Sequence, residues 1–221
     1  MKETADKNKT RSERIQTRSA KRRTKQKEEL RNAILSAAKD LFLEHGYEGF
    51  SLRQVAEEAG YSPTTIYLYF SDKDELLLHI CLEGFQTFGR MLREGFESSD
   101  DPRERLEALG EQYFKFGLEN PANYRLMFMQ RTDMRTEELP EGYEPIDDSF
   151  GFLFRTVHEC VGAGYLHGDP QTLANFIWSG IHGIVALALV DDPHFTRKDA
   201  EASFALYKEQ LHRVLNREEG G

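Results

Sequence analysis

Residues 50–77 read FSLRQVAEEAGYSPTTIYLYFSDKDELL, and the spacing of polar residues in this stretch predicts several short helices. Ser51 stands three residues before Gln54, which is the pattern of a capping box at a helix start. Gly60 follows a run of helix-forming residues and marks a helix end. A first short helix is therefore expected over about 52–59.

Two further helix starts follow within the same stretch. Ser62 precedes Pro63, and proline suits the first position of a helix because it has no N–H to donate. Ser71 precedes acidic residues, which are favourable at the positive end of a helix. A short helix over about 63–69 and a longer one over about 72–96 are expected. Two short helices joined by a tight turn are the helix-turn-helix pattern, which reads DNA in the major groove.

The formal net charge of −9 argues against a nucleic-acid partner until its distribution is considered. Residues 1–31 hold 12 Lys and Arg against 5 Asp and Glu, whereas residues 32–75 hold 3 against 8 and residues 76–221 hold 14 against 25. The positive excess lies directly before the helix-turn-helix, where cations can bind DNA phosphates. A disordered solubilising end is the alternative that composition leaves open.

Residues 1–24 lack apolar periodicity, so they are predicted to form a flexible basic arm. Arg53 and Lys73 are the only cations between residues 46 and 75, so the arm is expected to supply much of the attraction to DNA. Its side chains can follow phosphates or enter a minor groove. The cations assigned to this role are Arg18, Lys21, Arg22, Arg23, Lys25 and Lys27.

Apolar residues recur at helical spacing through the rest of the chain, and strand-like alternation is not found. The sequence predicts an all-α protein of about nine helices. After the arm we expect a helix-turn-helix domain at 25–75, a ligand-binding and dimerisation domain at 76–216, and a tail at 217–221. The remaining predicted segments are helices over about 25–45, 102–118, 121–134, 146–163, 170–190 and 197–216, and an acidic loop at 135–148.

Composition argues against several classes of protein. Cys81 and Cys160 are the only cysteines, no Cys or Cys-His spacing suits a metal, and no cofactor is expected. The longest charge-free apolar run, Phe176–Val190, has 15 residues and is too short to span a bilayer. The highly charged N-terminus does not resemble a secretory signal. We therefore expect a cytoplasmic protein without a metal or a membrane partner.

An all-α enzyme is a remote alternative. His158, Glu159 and Cys160 are adjacent, so their side chains diverge around a helix instead of converging on one substrate. The seven histidines are scattered, and neither an HExxH motif nor a glycine-rich phosphate loop occurs. The sequence therefore predicts no catalytic residues.

A family resemblance covers residues 27–77 without a gap. The residues that carry it are Ala33-Ile34-Leu35, Ala37-Ala38, Leu41-Phe42, Gly46-Tyr47, Ser51, Val55-Ala56, Ala59-Gly60, Ser62, Ile66-Tyr67, Tyr69-Phe70, Lys73 and Glu75-Leu76-Leu77. The stretch resembles the DNA-binding domain of the TetR family of bacterial transcription regulators. The resemblance implies a homodimer that binds a palindromic operator in double-stranded DNA, usually as a repressor, and that a small molecule releases. An activator, or a regulator gated by a partner protein, is the alternative.

A second, shorter resemblance lies in the C-terminal domain. Asn120-Pro121, the run Tyr124–Phe128, and Trp178 with His182-Gly183 are similar to the TetR subgroup that is named for a Trp-His-Gly signature. The resemblance implies that this domain holds the small-molecule effector.

A recognition helix of one or two turns can present only a few side chains to the major groove. The residues predicted to contact DNA are Arg53, Ser62, Thr64, Thr65, Tyr67, Leu68, Tyr69 and Lys73. The family resemblance implies phosphate contacts from Thr65, Tyr67, Tyr69 and Lys73. It also places Arg53 near a base edge, where a guanidinium can pair with guanine. A packed Tyr67 and a solvated Arg53 are the alternatives.

The C-terminal half is rich in large aromatic and sulfur-containing side chains, most of which are expected to form helix cores. A subset is predicted to line an apolar effector cavity. His182 lies four residues after Trp178, on the same helix face, so it can be a polar anchor or a core histidine. The residues assigned to this site are Phe88, Tyr113, Phe116, Tyr124, Phe128, Phe154, His158, Trp178 and His182.

The last two helices are predicted to form the dimer contact. Glycines in one helix permit close approach, and apolar residues of the other recur at spacings of three and four. Burial within one chain is the alternative. The residues assigned to the contact are Gly180, Gly183, Phe204, Tyr207, Leu211 and Val214.

Overall fold

The computed structural model describes residues 11–130, 143, 148–190 and 192–215, with only the backbone at 11–15 and 214–215. These residues form nine α-helices and one π-helical turn, without a strand, which confirms the all-α prediction. The α-helices are α1 Arg11–His45, α2 Leu52–Ala59, α3 Pro63–Tyr67, α4 Lys73–Phe96, α5 Pro102–Glu119, α6 Pro121–Tyr124, α7 Ser149–Gly162, α8 Pro170–Ala188 and α9 Arg197–Leu215. The π-helical turn, Arg125–Met129, follows α6 directly.

The chain divides into two compact units after Leu77, within α4. The domain boundary had been predicted near residue 75. The predicted tail at 217–221 and almost all of the predicted acidic loop lie outside the described residues.

Helix α1 begins much earlier than the apolar pattern predicts. It starts at Arg11 instead of near residue 25, so the prediction of a flexible arm is wrong for residues 11–24, while residues 1–10 lie outside the described residues. The side chains from residue 18 to residue 29 are all exposed. An extension of this kind needs no apolar face, because strong helix formers such as Arg, Lys and Gln can propagate a helix that is already nucleated by its packed C-terminal half.

In the first unit, the apolar face of α1 packs against α2, and α2 packs against α3. Ile34, Ala38 and Phe42 on α1 are fully or almost fully buried. Val55 and Ile66 have no exposed surface, so both short helices are anchored from the same side. The opposite sides of these helices are therefore free to meet a partner.

The capping residues of the quoted stretch form the hydrogen bonds that their spacing predicts. The Ser51 hydroxyl accepts from the Gln54 N–H at 3.4 Å, and the Ser62 hydroxyl accepts from the Thr65 N–H at 3.2 Å. Gly60 ends α2 with φ of 74°, a left-handed conformation that glycine adopts without a Cβ clash. These local contacts set the ends of the two short helices.

The start of α4 differs slightly from the prediction. The Asp72 carboxylate accepts from the Glu75 N–H at 2.8 Å, and the Glu75 carboxylate accepts from the Ser71 N–H at 2.6 Å. The cap is therefore centred on Asp72, one residue after the predicted Ser71. This reciprocal pair satisfies two of the N–H groups that a helix start leaves unpaired.

The second unit is a layered helical body around an aromatic core. Helix α5 packs against α7, α8 and α9, and α8 packs against both α7 and α9. A Cβ at Gly117 would lie 2.3 Å from Val185 Cγ1, so the approach of α5 to α8 requires a glycine at this position. Where one helix had been predicted from residue 121 onward, the backbone changes from α to π geometry at Arg125, a transition that often occurs at functional sites.

Candidate nucleic-acid interface and ligand cavity

Helix α3 has one buried side and one fully accessible side. Ile66 is buried, whereas Leu68 is 80% exposed and Ser62, Thr64 and Tyr67 are exposed as well. An apolar side chain as exposed as Leu68 contributes little to the stability of the first unit. This surface has the size and shape of a helix that can enter a groove.

The remaining predicted DNA contacts surround this exposed side of α3 within the first unit. Arg53 is exposed on α2, and Thr65 is half-buried with its hydroxyl 2.9 Å from the Ser62 hydroxyl. Tyr69 is half-buried, with its ring centroid 6.0 Å from Lys27 Nζ. The Lys27 side chain therefore extends from α1 to Tyr69, which follows α3.

Lys73 is held in place by the turn that follows α1. Its Nζ donates to the Tyr47 carbonyl at 2.6 Å and lies 4.3 Å from the centre of the Tyr47 ring and 5.3 Å from that of Phe50. An ammonium has three donors, so two protons stay free for another acceptor. The predicted role at a phosphate is compatible with this geometry, and the turn fixes the position of the charge.

The predicted arm cations lie on an exposed helix. Arg18, Lys21, Arg22 and Lys25 follow the spacing of three and four residues that places side chains on one helix face, and all four are exposed. By helical periodicity this face lies opposite the side of α1 that packs into the core. The arrangement is a continuous cationic stripe, which we call the basic stripe of α1, and it consists of these four residues.

The second unit encloses a cavity of about 420 Å³. Its lining is apolar and aromatic apart from a few polar side chains. The described lining residues are Phe85, Phe88, Leu92, Leu106, Glu107, Leu109, Gly110, Tyr113, Phe128, Asp148, Ser149, Phe150, Leu153, Ile177, Trp178, Ile181, Phe204, Tyr207, Lys208 and Leu211. A cavity of this volume can hold a small apolar molecule.

The cavity contains only some of the residues that the sequence assigns to an effector site. Phe88, Tyr113, Phe128 and Trp178 line it, whereas Phe116, Tyr124 and His182 do not. Phe116 and Tyr124 are fully buried in the aromatic core beside the cavity.

Two residues of α7 that the sequence assigns to the effector site lie away from this cavity. Phe154 and His158 do not line the cavity, and their rings pair with each other at 6.2 Å while His158 is exposed. The helix turns Leu153 toward the cavity instead. The aromatic content of α7 gave no sign of this orientation.

A hydrogen-bonded chain connects the cavity wall to α8. Trp178 Nε1–H donates to the Tyr113 hydroxyl at 3.1 Å, and the Tyr113 and Tyr124 hydroxyls are 2.9 Å apart. His182 Nδ1 lies 2.6 Å from the Tyr124 hydroxyl and 3.1 Å from that of Tyr113. The simplest assignment of protons gives His182 Nδ1 as an acceptor from Tyr124, which requires a neutral imidazole. His182 is thus a core histidine that anchors cavity residues.

Burial favours the neutral form of each titratable group in this hydrogen-bonded network. It lowers the pKa of His182 and raises the pKa of Tyr113 to about 12, because the charged form of each group is poorly solvated. The pKa of Tyr124 is also raised, first by burial and then by the neighbouring Tyr113. All members of the chain are therefore neutral near neutral pH.

We expect His182 to make the stability of the protein depend on pH. Because its pKa is lowered in the folded state, the unfolded chain binds more protons, and stability falls as pH decreases below about 6.5, the pKa of an unperturbed histidine. Denaturant unfolding at several pH values should therefore show a decrease in the free energy of unfolding between neutral and mildly acidic pH. His182→Gln should flatten this dependence, whereas His167→Gln, at an exposed histidine, should leave it unchanged. Equal pH profiles for both variants would contradict the assignment.

The predicted dimer contact is largely an intramolecular contact between α8 and α9. A Cβ at Gly180 would lie 2.7 Å from Tyr207 Cε2, and the Tyr207 hydroxyl donates to the Ile177 carbonyl at 2.7 Å. Phe204 is buried and stacks on Phe114 at 4.2 Å between ring centres. Gly180, Phe204 and Tyr207 thus already pack within one chain, and their assignment to a dimer interface stays a prediction.

The other predicted dimer residues have different positions. Leu211 lines the cavity, and its assignment to the interface stays a prediction. Gly183 has nothing within 4 Å of the position of a Cβ, so the space above it is open. The side chain of Val214 lies outside the described residues.

Helix α8 carries large apolar side chains that are exposed within one chain. Phe176 is 71% exposed and Leu187 is 50% exposed, and Gly183 lies on the same face, seven residues after Phe176 and four before Leu187. Val190, just beyond the end of α8, and Leu206 on α9 are exposed as well. We call the surface formed by Phe176, Gly183 and Leu187 the outer apolar face.

Two searches within the described residues gave no further site. No helix among them is long and apolar enough to cross a membrane. No group of three or more His, Cys, Asp and Glu side chains in that part of the chain is arranged to hold a metal ion.

Two family models match the chain, one in each unit. The model described as "Bacterial regulatory proteins, tetR family" matches residues 34–80. The model described as "Tetracyclin repressor-like, C-terminal domain" matches residues 106–211. Together these matches include α2, α3, α6, α7 and α8 in full.

A curated relative with a similar sequence is consistent with these two matches. The HTH-type transcriptional activator FasR of Mycolicibacterium smegmatis is 31% identical over 102 residues, which is 46% of this chain and 47% of that protein. The chain therefore spans about half the length of the curated relatives that it matches.

Among solved structures, the fatty acid degradation regulator FadR from Bacillus halodurans aligns with a TM-score of 0.64 at 21% identity, covering 84% of this chain and 94% of that one. A tetR-family regulatory protein from Rhodococcus RHA1 aligns with a TM-score of 0.67 at 22% identity, covering 86% and 98%. At these identities the two alignments establish a shared fold.

Proposed function

Since the chain belongs to the TetR family of bacterial regulatory proteins, we propose that it is a dimeric transcription regulator that binds a DNA operator and responds to a small molecule. The observation that carries the proposal is the accessible side of α3, where Leu68 and Tyr67 are exposed on a helix anchored by Ile66. The relatives are transcription regulators, so catalysis is not proposed. The likeness to the Trp-His-Gly subgroup stays a prediction.

The contacts to DNA divide into base readout and phosphate binding. Thr64, Leu68 and Arg53 are exposed and can meet base edges, whereas the hydroxyls of Tyr67 and Tyr69 are suited to phosphates. The Ser62 and Thr65 hydroxyls form a hydrogen bond with each other, so both lie at the N-terminal end of α3. Lys73, fixed by the Tyr47 carbonyl, adds a placed cation.

The basic stripe of α1 supplies the charge that the helix-turn-helix lacks. Residues 32–75 carry 3 cations against 8 acidic residues, so this segment alone repels phosphates. The exposed stripe, with Arg23 and Lys27 beside it, carries positive charge on a helix that begins at Arg11. We assign these cations to the phosphate backbone.

Dimerisation is assigned to the outer apolar face. Exposed apolar patches of this kind mark interaction sites, and a two-fold operator requires two copies of the reading head. Gly183 has open space above it, which allows a partner helix to approach closely. This assignment replaces the α8–α9 contact, which packs within the chain.

The cavity of the second unit is the proposed effector site. Its aromatic lining suits an apolar molecule, and Tyr113 and Trp178 connect it by hydrogen bonds to Tyr124 and His182. Repression released by the effector is the sign of regulation that we propose. Activation is the second candidate, because a relative that is 31% identical over 102 residues is named as an activator.

An electrophoretic shift with the DNA upstream of its own gene tests the proposed function. Arg53→Ala is expected to weaken binding by about 10- to 100-fold, corresponding to about 1–3 kcal/mol for a lost bidentate base contact, and to relax specificity at one base pair. Arg90→Ala, at an exposed arginine of the second unit, is the control. Failure of the wild-type protein to select any sequence from a random DNA pool would refute the function.

A further inference from the structure

The cavity wall is aromatic to an extent that ordinary packing of a helical core does not require. Among the described residues, eight of the twenty that line it carry an aromatic ring. Phe88 stands at 77° to Tyr113 and at 72° to Phe128, and Phe150 stands at 77° to Trp178. Because these three pairs are nearly perpendicular, whereas Tyr113 and Phe128 are at 32°, the wall presents ring faces as well as edges. A ring face carries the negative part of the quadrupole and attracts cations.

The charged groups of the cavity have an excess of carboxylates. Glu107 and Asp148 line the cavity, and Lys208 is its one charged amine among the described residues. The Lys208 ammonium lies 2.6 Å from Glu111, so its charge is already paired. Asp148 also accepts from the Gly151 N–H at 2.9 Å, and Glu107 contacts His212 at 2.7 Å. Two carboxylates of the lining therefore stand against one ammonium, which Glu111 pairs from outside the lining, and a ligand anion is disfavoured.

The hydrogen-bonding groups of Tyr113 and Trp178 in the wall are already satisfied by protein partners. The Tyr113 hydroxyl has one donor and two acceptor positions, and it contacts Trp178, Tyr124 and His182. The single Trp178 N–H is used in the same chain. A ligand at this wall therefore meets ring faces and carboxylates, and it finds no spare donor on Tyr113 or Trp178.

We propose that the effector is an amphipathic organic cation, with a substituted ammonium group and an apolar body, and that anions of the same size are excluded. This inference rests on the proposed role of the cavity as the effector site and names the chemical class that the site takes. The rings solvate the ammonium, which in its fully substituted, quaternary form has no N–H to donate, and Asp148 and Glu107 supply the compensating charge. The Lys208 ammonium, 5.3 Å from the centre of the Phe204 ring, already forms this kind of contact at the cavity wall.

Trp178 provides a direct measurement, because it is the only tryptophan of the chain and it lines the cavity. Its emission in the full-length protein can be titrated with three probes of one shape: (4-phenylbutyl)trimethylammonium, its neutral isostere (5,5-dimethylhexyl)benzene, and 5-phenylpentanoate. We expect the cation to bind about 10-fold more tightly than the neutral probe, which is the scale of one desolvated cation–π contact. The anion should bind more weakly than both.

Variants of the carboxylates test the source of the preference. Asp148→Asn keeps an oxygen that can accept from the Gly151 N–H, so α7 retains its cap while the charge is removed. Together with Glu107→Gln it should reduce the preference for the cation over the neutral probe by about 3- to 10-fold, as expected for lost charge pairing near a surface. Glu94→Gln, at a carboxylate that pairs with Arg90 outside the cavity, should leave the preference unchanged.

The outcomes separate the ligand class from the proposed function. Equal binding of the cation and the neutral probe, tighter binding of the anion, or no response of Trp178 to any probe would each overturn the inference. Operator binding is measured in parallel on the same preparations. A protein that shifts its operator but shows no preference for the cation retains the proposed function and loses only the ligand class.

Discussion

Replacing the four residues of the basic stripe of α1 with glutamine is expected to weaken operator binding by at least about 100-fold at low salt, because each phosphate contact contributes through counterion release. The four substitutions are Arg18→Gln, Lys21→Gln, Arg22→Gln and Lys25→Gln. Glutamine keeps a high helix propensity, so the helix that begins at Arg11 should be retained. The loss can then be attributed to charge.

The salt dependence of binding identifies this effect more clearly than affinity alone. Each lost phosphate contact lowers the slope of log K against log salt by about 0.9, so eight lost contacts in a dimer lower it by about 7. Titration of the operator at several salt concentrations gives this slope for both proteins. If the slope decreases by less than about 7, some residues of the basic stripe do not contact phosphate.

The control for net charge uses four exposed cations of the second unit. Arg90, Arg197, Lys198 and Arg213 are all exposed, and their replacement by glutamine changes the net charge by the same amount. This variant should bind the operator with nearly the wild-type slope. If both variants lose the same slope, the effect comes from overall charge, and the stripe has no special role.

Local hydrogen bonds made the short helices predictable from sequence. Ser51, Gly60 and Ser62 determine where α2 and α3 begin or end through contacts within four residues, so their spacing contains the needed information. The early start of α1 was missed for the opposite reason. Apolar periodicity records burial, and residues 18–29 are helical without being buried.

Side-chain orientation on the later helices was less predictable. Phe152 and Phe154 have the same residue type, yet Phe152 packs 5.1 Å from Phe96 while Phe154 lies outside the cavity, since two positions along a helix face nearly opposite directions. Periodicity on α9 correctly indicated a buried seam at Phe204 and Leu211, but it does not distinguish the same chain from a second copy. The sequence does not indicate which face of α8 is exposed, because nearly every residue from 176 to 190 is apolar.

The outer apolar face gives the second large expected effect. Leu187→Glu places a charge within the proposed interface, and a two-fold dimer contains the substituted residue twice. Burying an unpaired carboxylate costs several kcal/mol, so the dimer dissociation constant should rise by at least about 100-fold. Sedimentation or light scattering at micromolar concentration should show a monomer, and operator binding should fall with it.

The monomer itself should tolerate Leu187→Glu, which separates this effect from misfolding. Leu187 is 50% exposed within one chain, and glutamate is a good helix former, so thermal unfolding should change little. Gln171→Glu adds the same charge at an exposed position on a different face of α8 and should remain dimeric. A stable Leu187→Glu dimer with normal operator affinity would exclude the outer apolar face as the interface. Because Phe204 and Tyr207 are already packed within the chain, a different surface would then have to bring the two reading heads together.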